Sequence, residues 1–434
     1  MPEFIRLLPP DEARDTLLGA VQAGPLGSET VKVVASLGRV SAADVAAPHA
    51  LPEFPRSTVD GYAVRAGDTY GATDSLPAYL DLAGEIAMGE ASELRLEPGQ
   101  CALIHTGGVL PSGGSAVVML EYSQTVESSD ARAGGSAAPG VGLIEIFRAV
   151  AEGENTIAVG EDIVGGTTVL KKGHLIGPAT VGALLALGIV ETEVARRPRV
   201  ALISTGDEVV DPSTATRLGQ VRDVNSYTLS AVIEQAGGIP DRYGIVRDDS
   251  SALRSLSSIA LAACDVVVIT AGSSASTRDT TAAVIDSLGS PGVLVHGINT
   301  RPGKPTILGV SQGKALIGLP GNPVSALVNG YMFLVPLIEK LLGTQPRLKA
   351  SIRARLTTNL ASEAGREDWW PVKLATRPGA PAGLGVAPVD LPSAEPVFGM
   401  SNLIATLATA DGIIRIPAAA TGLAGGEEVD VYPL

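Results

Sequence analysis

The chain has 434 residues, too many for one ordinary core, which predicts two to four domains. Hydrophobic residues make up 45% of it and aromatics 3%, which excludes wholesale disorder and leaves Ala, Val, Leu and Ile to build the cores. Asp and Glu number 46 against 32 Lys and Arg; the net charge of −14 repels phosphate backbones and speaks against a nucleic-acid partner, and the two distant cysteines, Cys101 and Cys264, exclude a disulfide framework and a zinc ribbon.

In chain order, residues 1–50 read as helices, the first opened by Pro10 with Asp11 and Glu12 in its first turn and closed by Gly24-Pro25. No apolar run reaches the ~18 residues of a membrane span, and the acidic, amphipathic N-terminus is unlike a secretory signal. The expectation is no membrane partner and a cytoplasmic location. Residues 51–150 change to short apolar runs (102–104, 116–120, 143–147) between Gly and Pro, the texture of a small β domain, with a Ser/Ala/Gly-rich loop at 127–142. Helical periodicity returns at 179–188. From 198 to 343, apolar runs at 200–204, 266–270 and 315–319 alternate with helical stretches at 226–235, 280–288 and 324–342, which predicts a parallel α/β sheet. The tail returns to β texture, ending in a strand at 427–432. The predicted domains are 1–50 with 151–182 (helical arm and linker), 51–150 (β insertion), 183–343 (α/β) and 344–434 (C-terminal β).

Ligands of open parallel sheets sit beyond the carboxyl ends of the strands. Three loops there carry informative residues. Ser204-Thr205-Gly206-Asp207-Glu208 follows a strand; its glycine admits close approach of a ligand, and its acids project into the crevice or simply form a solvated turn. The second, with Gly272, Ser273, Ser274 and Asp279, joins a strand to a helix N-terminus, an anion-binding arrangement in which Asp279 also fits a plain N-cap. The third, Leu319-Pro320-Gly321-Asn322-Pro323-Val324-Ser325, places Asn322 at an N-cap and Pro323 at the first helical position. Residues 293–313 hold Arg301 and Lys304 and no acid, a cationic island suited to a phosphate or another oxyanion. Carboxylates beside anion-binding loops suggest magnesium, whereas the four histidines have no metal-ligand spacing. Outside the α/β stretch, the segments at Asp60-Gly61, His105-Thr106-Gly107-Gly108 and Gly160-Glu161-Asp162 are polar turns or parts of a site.

Eight segments in order (57–65, 106–121, 160–163, 204–209, 219–225, 270–279, 302–306 and 319–326) together resemble molybdopterin molybdenumtransferase, the MoeA and gephyrin E-domain family, with STGDE, PGKP and LPGNPVSA nearly intact. The resemblance implies a multi-domain α/β plus β protein: a three-layer, MogA-like α/β core with a helical arm, a β insertion domain and a C-terminal β-barrel-like domain. It implies an elongated homodimer and a transferase that inserts molybdate into adenylylated molybdopterin, releasing AMP with magnesium as cofactor. A separate molybdopterin adenylyltransferase is a candidate partner. By resemblance Asp60, Asp162, Glu208 and Asp279 are the catalytic acids, and Glu208, Asp223 and Asp279 position the metal or the adenylyl group. Thr106 shares with Asp60 the β-domain face that closes on the partner subunit's site. The substrate-binding set is Thr106, Ser204, Thr205, Gly206, Gly272, Ser273, Ser274, Arg301, Lys304, Pro320, Gly321, Asn322 and Ser325. Two departures stand out: Ala271, Ser276 and Thr277 replace two glycines and an acid of the family loop, and Arg301 replaces a common Lys. A molybdopterin adenylyltransferase and a non-catalytic pterin-binding scaffold are the alternatives.

Overall fold

The computed structural model describes residues 7–22, 24–90, 93–126, 142–271, 275–345, 350–375 and 391–434. The Ser/Ala/Gly-rich stretch, apart from Gly142, lies outside them.

Helix α1 (Pro10–Ala20) has the expected proline and acids at its start. Its residues Ala13 and Leu17, with Val21 one turn on, share one face and are fully buried in the core of the α/β domain. This helix therefore packs against the α/β domain. It is also the one α-helix among the described residues up to 50, contrary to the expectation of several: Ser28–Lys32 is a strand, paired antiparallel with Glu191–Ala195. The β-branched run Thr30-Val31 favours that pairing.

The β domain contains β1 (Gly61–Val64), β2 (Ala78–Ile86), β3 (Gln100–Ile104), β4 (Ala116–Met119), β5 (Ser123–Val126) and β6 (Leu143–Ile146), in the order β4-β1-β3-β2-β6-β5. Val64, Leu80, Val118 and Ile144 form one packed face, and Ala63, Ile86, Ala102 and Ile104 another. Helix α2 (Pro178–Ala186) belongs to the small module carrying the 28–32 strand.

The α/β domain is built on β7 (Arg199–Thr205), β8 (Ile239–Val246), β9 (Val266–Ala271), β10 (Pro291–His296), β11 (Ile307–Ser311) and β12 (Lys314–Pro320), in the order β8-β7-β9-β12-β11-β10. Side chains alternate between two cores. Val200, Leu202, Val266 and Val268 pack with α1, α3 (Asn225–Gln235), α6 (Pro323–Asn329) and α7 (Val335–Leu342). Ala201, Ile203, Val267 and Ile269 pack with α4 (Ser250–Ala263) and α5 (Ala275–Ser287). Two layers of helices thus sandwich the sheet, and strands buried on both faces explain the continuous apolar runs. The sheet is mixed where an all-parallel one was expected: β12, β11 and β10 pair antiparallel. Gln312 and Gly313, with φ of 53° and 76°, make the tight turn that folds β11 back onto β12.

From α6 a π-helical turn at Gly330–Leu334 leads into α7. The combined helix, 323–342, is long and apolar enough to cross a membrane by length and composition, and 61% of that window is buried inside the protein. Phe333, Leu334, Leu337 and Ile338 are core residues, which accounts for its composition without a bilayer.

The C-terminal strands β13 (Ile352–Leu356), β14 (Glu367–Ala375), β15 (Ser393–Pro396), β16 (Gly412–Ile416) and β17 (Glu428–Pro433) run β14-β15-β13-β17-β16, and β16 pairs back to β14. That pairing closes a five-stranded barrel. Thr300–Arg301 pairs in parallel with Glu367-Asp368 of β14, so the cationic loop of the α/β domain is registered directly on the barrel.

Candidate functional site

Two cavities open where the carboxyl ends of the α/β strands meet the barrel. The first, of about 460 Å³, is lined by Ser204, Thr205, Glu208, Asp223, Asn225 and Asn322 among others. At its rim Gly206 has φ of +141°, and an added Cβ would stand 2.8 Å from the Glu208 carboxylate, so only glycine lets that side chain fold back over the loop. Asp223 is buried and accepts from Ser204 Oγ at 2.7 Å, Ser226 N at 3.1 Å and Ser226 Oγ at 2.6 Å. Its carboxylate braces β7 against the start of α3, a positioning role. Asn225 donates to the Gly321 carbonyl at 2.9 Å, and its buried Oδ1 has no hydrogen-bond partner among the described residues.

Asp248, just past β8, was not singled out from the sequence. Burial, then the charges of Asp207 and Glu208, raise its carboxyl above the usual range. No group of three acidic, His or Cys side chains forms a ready metal cage among the described residues. Mg2+ needs none, since it is held by one or two carboxylates, water and substrate phosphates. Glu208, which lines the same cavity as the Asn225 amide oxygen and lies within charge reach of Asp248, fits such a cation.

Because Asp248 holds its proton more tightly in the folded state, its penalty is absent below the unfolded value near 3.8 and develops as pH rises toward the higher folded value. Asp248→Asn is therefore expected to melt higher than wild type at pH 7 without divalent cation, with the gap closing as pH falls toward about 4 or as Mg2+ is added. Thermal melts across pH, with and without MgCl2, check this.

The second cavity, of about 440 Å³, is lined by Arg301, Lys304, Pro320, Ser325, Arg366 and Ser401 together with Trp369 and Trp370. Gly303, at φ +106°, shapes the loop: a Cβ there would collide with the amide of buried Asn329. Arg366 donates to Asp368 at 2.8 Å and meets Glu363 at 2.8 Å, and Arg301 lies 4.0 Å from Asp368. Lys304 is exposed and has no ion pair or side-chain hydrogen bond among the described residues. Asn322 lines both cavities. It occupies the N-cap position of α6 as expected, yet its side chain makes no cap bond and donates across the domain boundary to Ser401 Oγ at 3.1 Å.

Other expected residues lie apart. Asp60 accepts from Thr106 N at 2.7 Å and Thr106 Oγ1 at 3.1 Å, which hold its carboxyl below the usual range. Gly61 opens β1 right after Asp60, and a Cβ there would strike the Val118 carbonyl of β4. Asp162 is exposed on a turn whose backbone bonds to Leu51. Asp60, Thr106 and Asp162 line neither cavity of their own chain, and exposed Asp279, on α5, lines neither as well. Gly272, Ser273 and Ser274 fall outside the described residues. The residues missed from sequence are Asn225, Asp248, Arg366 and Ser401. Only Asp248 had a local signal, an acidic pair after an apolar run.

Family models describing the MoeA N-terminal region (domains I and II), a probable molybdopterin-binding domain and the MoeA C-terminal region (domain IV) match residues 8–188, 201–340 and 353–434. A Methanocaldococcus jannaschii protein named for molybdopterin biosynthesis is 34% identical over 93% of this chain and 92% of its own. Molybdopterin molybdenumtransferase 2 of Mycobacterium tuberculosis is 32% identical over 93% and 95%. A solved molybdopterin biosynthesis MoeA protein from a Pyrococcus species superimposes with a TM-score of 0.79 at 36% identity, covering 99% of both chains. Full-length agreement in sequence and in the order of domains assigns the chain to the MoeA family.

Proposed function

We propose that the chain acts in molybdenum-cofactor biosynthesis as a molybdopterin molybdenumtransferase, inserting molybdate into adenylylated molybdopterin with release of AMP in a Mg2+-dependent reaction. The observation that carries this reading is the pairing of cavities: one rimmed by acids, the other by cations, joined at Asn322. Their complementarity suits a substrate with a phosphoanhydride at one end and a metal-accepting dithiolene near an oxyanion at the other.

In this reading Lys304 and Arg301 hold the molybdate dianion, and Arg366, fixed by Asp368, presents its planar fork beside them. Ser401 and Ser325 supply hydroxyl donors, and Asn322 keeps Ser401 oriented. Glu208 would hold Mg2+ in the first cavity, with the Asp248 carboxylate near enough to feel its charge, and Asn225 would offer its buried amide oxygen from the same lining. A Mg2+ ion held there would supply charge neutralisation at the scissile phosphoanhydride. Asp60, Thr106 and Asp162, remote from their own chain's cavities, serve the partner subunit of a homodimer. An adenylylated substrate implies a separate adenylyltransferase that supplies it.

The test is AMP release from adenylylated molybdopterin by the purified protein, with and without molybdate and Mg2+. Wild type is expected to require both. Glu208→Gln is expected to lower the rate about 10²-fold and to raise the Mg2+ concentration it needs. Release that is unaffected by molybdate and by chelator would sink the reading.

A further inference from the structure

The chain has only two tryptophans and five phenylalanines, yet Trp369 and Trp370 both line the cationic cavity and Phe398 stands at its rim. Phe398 meets Trp370 with ring centroids 5.7 Å apart and planes at 73°, making an aromatic corner. The Arg301 guanidinium lies 5.9 Å from the Trp370 ring centroid, so the corner adjoins the proposed oxyanion site directly. Met400 extends the same apolar surface, and Phe398 and Met400 are 63% and 69% exposed. Their loop is nonetheless tethered: Val397 N donates to the Pro371 carbonyl at 2.9 Å, and Val324 N to the Ser401 carbonyl at 3.0 Å. Large apolar side chains held in water on a fixed loop mark a surface that is covered when a ligand is bound.

We propose that Trp370, Phe398 and Met400 form a stacking shelf that selects substrates with a planar ring beside the anionic group, and that its occupant is the pterin ring. The choice of ring rests on the proposed function. Molybdenum must end on the dithiolene, which is attached to the pterin, so the ring that reaches the oxyanion cavity is the pterin and not the adenine. The chemistry on the page fits: a flat, polarisable bicycle gains from aromatic and thioether contacts, while its appended dithiolene reaches the oxyanion held by Arg301 and Lys304.

The shelf is tested by calorimetry and tryptophan fluorescence with three probes: neopterin monophosphate, glycerol 3-phosphate and molybdate. Both tryptophans lie at the cavity, so quenching of their emission reports on it. Wild type is expected to bind the ring-bearing phosphate at least about tenfold more tightly than the ringless one. Phe398→Ala and Trp370→Leu are expected to cut that preference about three- to tenfold, leaving the affinities for glycerol 3-phosphate and molybdate nearly unchanged. Trp370→Phe is expected to restore most of it. Phe398 is exposed, so its variant remains informative if Trp370→Leu fails to fold.

Equal binding of the two phosphates by wild type, or equal losses for all probes in Phe398→Ala, would overturn the proposal. So would a change of oligomeric state in Phe398→Ala with the preference intact, which would assign the surface to a subunit contact. Failure here is separable from failure of the proposed reaction: wild type that releases AMP but ignores the ring removes the shelf alone, and wild type that prefers the ring but releases no AMP removes the reaction.

Discussion

Lys304→Ala is expected to abolish measurable molybdate binding and to lower molybdate-dependent AMP release about 10²- to 10³-fold, with the melting temperature unchanged. Three cations line the same cavity, but their charges are not equally available. Arg366 already meets Asp368 and Glu363, and the Asp368 hydrogen bond holds its guanidinium even more firmly protonated than usual. Arg301 lies at the edge of the same carboxylate's reach. Lys304 has no such partner among the described residues and lines the cavity with its charge uncompensated there. Its removal also leaves no buried acid unpaired, which is why stability should not follow activity. Lys304→Arg keeps the charge with a different shape and is expected to retain partial binding. Isothermal titration with molybdate, AMP assays and thermal melts on both variants check the set. Full activity in Lys304→Ala would locate the oxyanion elsewhere.

How far the sequence reached follows from the range of the forces involved. The strands and helices of the α/β core were legible because a doubly covered sheet writes uninterrupted apolar runs, as in 200–204 and 266–270. The hairpin at Gln312-Gly313 was not, since its turn is set by two backbone angles and its strands look as apolar as parallel ones. The strand at 28–32, expected as helix, and the packing of α1 on the α/β core were not legible for a related reason. Whether a short element packs on its own neighbours or on a sheet nearly three hundred residues away is decided by tertiary contact.

The same division runs through the site. Arg301, Lys304, Asn322 and Ser325 sit in local motifs with glycine or proline beside them and could be read directly. Arg366 and Ser401 come from the barrel and reach the cavity only because Thr300–Arg301 zips onto β14 and Ser401 bonds to Asn322. Nothing near them in sequence says so. Asp223 shows the converse: its type and place suit a metal ligand, but its oxygens are taken up by Ser204 and Ser226. Asp248 gains its distinction from burial first and then from the nearness of Asp207 and Glu208 across the loops.

The barrel strand that carries this site has two buried carboxylates, Asp368, paired with Arg366, and Glu367. Glu367 is almost fully buried, and desolvation raises its carboxyl above the usual range against the opposing pull of Arg415. Arg415 Nε donates to it at 2.7 Å, Trp369 Nε1 donates at 2.8 Å, and Arg415 also reaches Asp11 of α1 at 3.2 Å. Arg415→Ala would leave the buried charge with a single neutral donor. Because the arginine itself is 39% exposed, the loss is expected to be about 2–3 kcal/mol, below the full cost of breaking a fully buried pair. A carboxyl with a raised folded value loses stability as pH rises through that value, so the variant's deficit should be largest at alkaline pH and shrink as pH falls and Glu367 takes up a proton. Glu367→Gln in the same chain should recover much of the loss at pH 8 by removing the charge. Urea unfolding followed by tryptophan emission isolates the effect, since both tryptophans lie on β14 beside the pair. A deficit that is independent of pH and persists in the double variant would mean that Arg415 acts through its contact with Asp11 instead, as a tie between α1 and the barrel.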